Sequence, residues 1–161
     1  QPDLLASSDS GMINTDNVTN KMRPTLSGSG VEANAKIRVY ANNVLVGQGT
    51  TTSFGAWEIS TSQLADGVYT ITTELEDLAG NISPRSAGLQ IVVDTVAPNT
   101  PYLDLLDDTG HSTTDNITSD NTPEFSMTSE DPNIALAQAL FTDNLKFRIY
   151  DRYEGTAEVL L

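Results

Sequence analysis

The sequence predicts an all-β chain of antiparallel sandwiches set in tandem, on three grounds. Thr, Ser, Asn and Gly are abundant while good helix formers are sparse. The apolar residues fall in short sets with a period of two rather than 3.6. A stretch near the start of the chain also returns 99 residues later, so one folding unit is repeated.

In chain order, Ile37 and Val39 alternate with Lys36 and Arg38, which makes Lys36–Ala41 a half-buried strand, and Asn42-Asn43 is the turn that ends it. Trp57 and Ile59 form the next inward pair. Asp66-Gly67 is a turn before a longer strand, in which Tyr69, Ile71, Thr73 and Leu75 alternate with Thr70, Thr72, Glu74 and Glu76. Ala79-Gly80-Asn81 closes that strand, and Leu89, Ile91 and Val93 are the last inward set. About seven short strands in about 95 residues, each half buried, make a two-sheet sandwich of immunoglobulin-like type. A small closed barrel is the lesser alternative. Only residues 131–141, with Ile134-Ala135-Leu136-Ala137-Gln138-Ala139-Leu140, have the composition of a helical turn or two.

The repeat sets the domain boundaries. Asp9-Ser10-Gly11, Thr15-Asp16-Asn17-Val18-Thr19 and Pro24-Thr25-Leu26-Ser27 return as Asp108-Thr109-Gly110, Thr114-Asp115-Asn116-Ile117-Thr118 and Pro123-Glu124-Phe125-Ser126. Eight of the nineteen positions from Asp9 to Ser27 are identical, too many for coincidence. Ala35-Lys36-Ile37-Arg38-Val39-Tyr40 then corresponds to Leu145-Lys146-Phe147-Arg148-Ile149-Tyr150 after an insertion of eleven residues. The first module therefore spans 1–97. A second, related one opens near Pro98, carries its insertion near 128–144 and is cut at Leu161. Between them Asp94-Thr95-Val96-Ala97-Pro98-Asn99-Thr100-Pro101 is a short connector stiffened by two prolines. A start at Gln1 without a leader reads as a piece of something longer.

Charge narrows the partners. With 22 acidic against 8 basic side chains the formal charge is −14, which repels nucleic acid and anionic bilayers and favours a multivalent cation. No apolar run is long enough to span a membrane. Cysteine is absent, so neither disulfides nor thiol chemistry arises.

Asp outnumbers Glu 14 to 8, and many of the Asp residues fall in expected loops. Short loop carboxylates can converge with backbone carbonyls on calcium, which takes six to eight oxygens in tolerant geometry. If the final strand ends where the next module begins, Asp94 is expected beside Asp107, Asp108 and Asp115. At the opposite pole the hairpin with Asp77 and Asn81 is expected to approach Asp9 and Asp16. The plainer alternative is that Asp and Asn stabilise turns and keep the surface soluble. No EF-hand loop or glycine-rich nonapeptide decides between the two.

Catalysis has little to stand on. His111 is the sole histidine, its counterpart in the first repeat being Met12, which leaves no triad or histidine metal cluster. Asp107 and Asp108 are adjacent and lack the cleft that a glycosidase pair requires. Trp57, Tyr40 and Tyr69 could stack a sugar, although a Trp in a small sandwich is more often core. Three sequons begin at Asn17, Asn81 and Asn116, all in expected loops.

In order along the first module, Asp9-Ser10-Gly11, Pro24-Thr25-Leu26-Ser27-Gly28, Val39-Tyr40, Gly47, Gly55-Ala56-Trp57, Leu64-Ala65-Asp66-Gly67-Val68-Tyr69, Asp77-Leu78-Ala79-Gly80-Asn81 and Val93-Asp94-Thr95-Val96-Ala97-Pro98 carry a resemblance. Together they resemble the bacterial Ig-like tandem repeats of giant, type I-secreted, RTX-type adhesins and biofilm-associated (Bap-type) proteins. The likeness covers all of the first module and the opening half of the second. It implies an extracellular or cell-surface stalk repeat whose partners are neighbouring Ig-like repeats, with any cell-surface or matrix target engaged by other regions. It also implies calcium at module junctions, at the loop carboxylates named above. The alternative from another class is a ligand-binding module that uses the 128–144 insertion.

Overall fold

The computed structural model describes residues 1–10, 13–109, 111–128, 132, 148–150 and 158–160. Among these every regular element is a strand. The 131–141 segment expected to turn helically, and nearly all of the insertion, lie outside the described residues.

The first module has eight strands: β1 (Asp3–Leu4), β2 (Val18–Thr19), β3 (Thr25–Gly28), β4 (Lys36–Ala41), β5 (Val44–Thr50), β6 (Trp57–Ser60), β7 (Gly67–Glu76) and β8 (Leu89–Val93). They form two sheets, one in the order β1-β3-β6 and one in the order β2-β8-β7-β4-β5. This is the immunoglobulin-like sandwich that the alternation predicts. The sheets are not antiparallel throughout, because β2 runs parallel to β8, with Val18 opposite Val92 and Thr19 opposite Val93.

The core lies between the sheets. Leu4, Leu26, Trp57 and Ile59 come from the smaller sheet, and Ile37, Val39, Ala41, Val46, Ile71, Ile91 and Val93 from the larger. Apart from the small Ala41, each of these core side chains contributes about 1.5–3 kcal/mol by leaving water. Trp57 is one of them, so no Trp57-Tyr40-Tyr69 platform for sugar exists. Gly28 sits directly over its indole, where a Cβ would come 2.6 Å from Nε1.

Asn42 and Asn43 both adopt positive φ, 47° and 70°, in the two-residue turn that joins β4 to β5. The Asn42 side-chain oxygen accepts the Thr70 N–H at 2.9 Å and ties the turn to β7. On the outer face of the larger sheet Tyr40 donates to Glu74 at 2.6 Å, Arg38 pairs with Glu74 and Glu76, and the Arg85 guanidinium stacks 3.7 Å from the Tyr40 ring centroid. Three of the eight basic residues, Lys36, Arg38 and Arg85, are used in this cross-strand network.

In the second module β9 (Tyr102–Leu105) pairs with β10 (Phe125–Thr128), and β11 (Arg148–Tyr150) with β12 (Glu158–Leu160), all antiparallel. The Leu106 N–H donates to the Glu124 carbonyl just as Leu5 donates to Thr25, at 2.9 and 3.0 Å. Asp3-Leu4-Leu5 thus corresponds to Asp104-Leu105-Leu106, and the second module is two residues shorter before its repeated Asp108.

Candidate functional site

The feature repeated most closely is the corner between the first two strands. In the first module the chain leaves β1, turns through Ser8 and Asp9, and runs out to Asp16 before joining β2. Ser8, Asp9 and Thr19 are buried there. The Thr19 hydroxyl donates to the Ser8 carbonyl at 2.5 Å, the Ser8 hydroxyl accepts the Thr25 N–H at 2.9 Å, and the Lys21 ammonium donates to the Ser7 carbonyl. Asp9 Oδ2 accepts the Asn17 N–H at 3.0 Å, and Asp16 Oδ1 accepts the Val18 N–H at 3.1 Å. Asn17 takes φ of 63°, a conformation Asn tolerates better than most residues.

The second module repeats three of these bonds, those to the Asn17, Val18 and Thr25 N–H groups. Asp108 Oδ2 accepts the Asn116 N–H at 3.0 Å, Asp115 Oδ1 the Ile117 N–H at 3.2 Å, and Asn116 has φ of 58°. Asp107 takes the part of Ser8, accepting the Glu124 N–H at 2.9 Å. The Asp–Asp–Asn pattern read from sequence as acidic loop chemistry is therefore a built corner.

The other sequence-predicted residues lie elsewhere, and one expected juxtaposition is corrected. The Asn17 carbonyl accepts the Val92 N–H, and Val92 pairs with Val68 near the start of β7, whereas Asp77 follows the far end of that strand at Glu76. At a strand rise of about 3.3 Å per residue the two are separated by about 26 Å along β7. Asp77 and Asn81 therefore do not approach Asp9 and Asp16. Sequence reasoning failed here because it took the Asp9 loop for a polar cap, while the parallel β2 lays it alongside the end of β8. Asp77 instead closes its own hairpin, accepting the N–H groups of Ala79 and Asn81 and the Asn81 side-chain amide, each at 2.8 Å. Those bonds, the Asn81 amide first, hold its carboxyl below the usual range.

Asp94 belongs with the first corner. Its N–H donates to the Thr19 carbonyl at 2.9 Å and its Oδ1 accepts the Val96 N–H at 3.1 Å, while Thr95 is fixed to Asp66 Oδ1. The hydrogen bonds given above for Asp107, Asp108 and Asp115 stay inside their own module. His111 is exposed.

Electrostatically the first corner is under tension. Burial pushes the Asp9 carboxyl up, and the nearby Asp16 and Asp3 carboxylates add to the rise. In the second corner Asp120, which stands where the first has Lys21, is held below its usual value mainly by the Thr122 N–H. No three acidic or histidine side chains gather into a metal cluster among the described residues. Calcium here would have at most two carboxylates, with carbonyls and water as its other ligands. An enclosed oxygen without a donor, Asp9 Oδ1, nonetheless fits a cation.

A β1-β3-β6 sheet packed on a β2-β8-β7-β4-β5 sheet, with β2 parallel to the last strand β8, defines an immunoglobulin-like module. The chain belongs to the bacterial Ig-like domain family, whose description matches residues 1–95. Domains of this family are structural modules of bacterial surface proteins. No match among curated proteins is found. No helix among the described residues is long and apolar enough to cross a membrane.

Proposed function

We propose that this chain is an extender repeat from the stalk of a large secreted or surface-bound bacterial adhesin, which holds a distal binding region away from the cell in adhesion or biofilm formation. The observation that carries this reading is the return of the same Asp–Asp–Asn corner, with its carboxylate-to-backbone hydrogen bonds, in a second module across a connector with two prolines. Tandem copies of one sandwich are what a spacer requires.

Calcium is the proposed stiffening agent. The net charge of −14 makes neighbouring modules repel, and a divalent ion bound near Asp94 and the acidic loops would offset that repulsion and restrict their relative angle. Extracellular modules bind calcium with dissociation constants of about 10⁻⁴–10⁻³ M, which suits a site outside the cell. Small-angle X-ray scattering on the chain tests this: the maximum dimension and its spread should change when calcium is replaced by chelator. Superimposable profiles would remove calcium stiffening and leave a plain spacer.

A further inference from the structure

The first module keeps its exposed apolar side chains at its two ends, which the strand pairing defines. Lys36 at the start of β4 lies opposite both Thr50 and Glu76, Gly28 lies opposite Trp57, and Asp3 lies opposite Ser27. The loop after β5, the hairpin after β7 and the entry of the chain therefore share one end. The β4–β5 turn and Val93, the last residue of β8, lie at the other, where the chain leaves. At the entry end Phe54 is 91% exposed, Leu78 85% and Ile82 59%. At the exit end the exposed set is Met22, Val44, Leu45 and Val96. Among the described residues of this module, Ile13 in the corner loop is the one other such side chain. The outer sheet faces are polar, with the Arg38-Glu74-Glu76 network on one and Asp3, Ser27 and Glu58 in register on the other.

Phe54 and Leu78 stand on closed loops. The Thr52 hydroxyl accepts the Phe54 and Ala56 N–H groups, and the Gly55 N–H donates to the Thr52 carbonyl. Gly55, at φ of 68°, lies so close to Val31 that a Cβ would come 2.0 Å from its carbonyl oxygen. The Leu78 loop is closed by the Asp77 carboxylate, which accepts from Ala79 and Asn81. Apolar side chains held bare on tight loops are fitted to anchor a contact, because little backbone freedom is lost when they are covered.

We propose that the entry end is a docking surface for the exit end of a second copy of this sandwich, so that Phe54, Leu78 and Ile82 of one cover Met22, Val44 and Leu45 of the other. This rests on the tandem-spacer reading and adds the surface through which spacers meet. Charge at the rim fits the same partner. Lys21 and Arg23 flank Met22 and are exposed, whereas Glu32 and Asp77 adjoin the entry loops. Lys36 at the entry end is engaged with Glu76, and Asp66 and Asp94 at the exit end with Thr95 and Val96. The second module offers no equal match, since Asp120, Asn121 and Thr122 stand where the first has Lys21, Met22 and Arg23. Because the two surfaces differ and lie at opposite ends, the contact is heterologous and propagates along a line rather than closing into a pair.

Sedimentation equilibrium of the full chain tests the assignment. Contacts below about 1,200 Å² are weak between free chains, and three side chains from each end make one of these. The weight-average mass should therefore climb at millimolar protein without levelling at a dimer. Phe54→Ser with Leu78→Ser removes the entry surface, and Val44→Thr with Leu45→Thr removes the exit surface. All four side chains are exposed, so the circular dichroism and unfolding temperature of both variants should match the parent's. Each double variant alone should stay monomeric, while an equal mixture should form dimers and nothing larger, one intact entry end meeting one intact exit end. A parent that stays monomeric at millimolar concentration, a mixture that does not pair, or a variant that still associates alone overturns the docking surface. The first of these outcomes leaves the plain spacer standing, whereas a closed dimer that survives both sets of substitutions joins modules side by side and removes the spacer as well.

Discussion

Glu74 receives a hydroxyl from Tyr40 and faces two guanidiniums, with its own side chain only 16% exposed. The Tyr40 hydrogen bond first, then Arg38 and Arg85, hold its carboxyl below the ordinary 4.5. A depressed acid contributes stability that is present above its unfolded value and is lost as pH falls through the lower, folded value. Glu74→Gln should therefore flatten the acid side of the stability profile below about pH 4.5 while changing little at pH 7 beyond the lost ion pairs, as urea unfolding across pH will record. Some residues on this scale were readable in advance and others were not. Trp57 and Ile59 announced themselves as core by alternation. Asp9 was legible as an acidic loop residue, but its burial was not, because nothing in Ser8-Asp9-Ser10 signals that Thr19 and Thr25 will close over it.

The β4–β5 hairpin shows how a turn fixes an element. With positive φ at both Asn42 and Asn43, the two-residue turn matches the twist of its strands, and Asn42 anchors it to Thr70. Asn42→Ala removes that acceptor and puts a residue ill suited to the left-handed region in its place. It should cost about 1–2 kcal/mol in chemical denaturation, with the fold retained. Strands of four or more residues with clear alternation were legible, as β4, β6, β7 and β8 were. β1 and β2 were not, since two residues carry no period. Missing β2 misplaced the Asp77 hairpin, because only the parallel pairing reveals which end of β8 the Asp9 loop lies beside.

For the molecule as a whole, the repeat was the strongest signal in the sequence, and it reached beyond strands to individual hydrogen bonds. The register of β9 against β10 adds what an ungapped comparison hides: Asp104-Leu105-Leu106 matches Asp3-Leu4-Leu5 with a shift of two residues, which shortens the second corner.

The parallel pairing of β2 with β8 has a mechanical meaning. When the first module is pulled by its two ends, the load enters near its first strands and leaves through its last. Because β2 and β8 point the same way, the Val92 bond to Asn17 and the Asp94 bond to Thr19 are sheared together rather than peeled in turn. Single-molecule stretching with handles at Gln1 and Pro98 should meet a higher rupture force than handles at Lys36 and Thr50, which open the β4–β5 hairpin one bond at a time. Equal rupture forces would remove this account. A clasp of four residues, invisible to any periodicity, thus sets the load at which the first module opens when pulled by its ends.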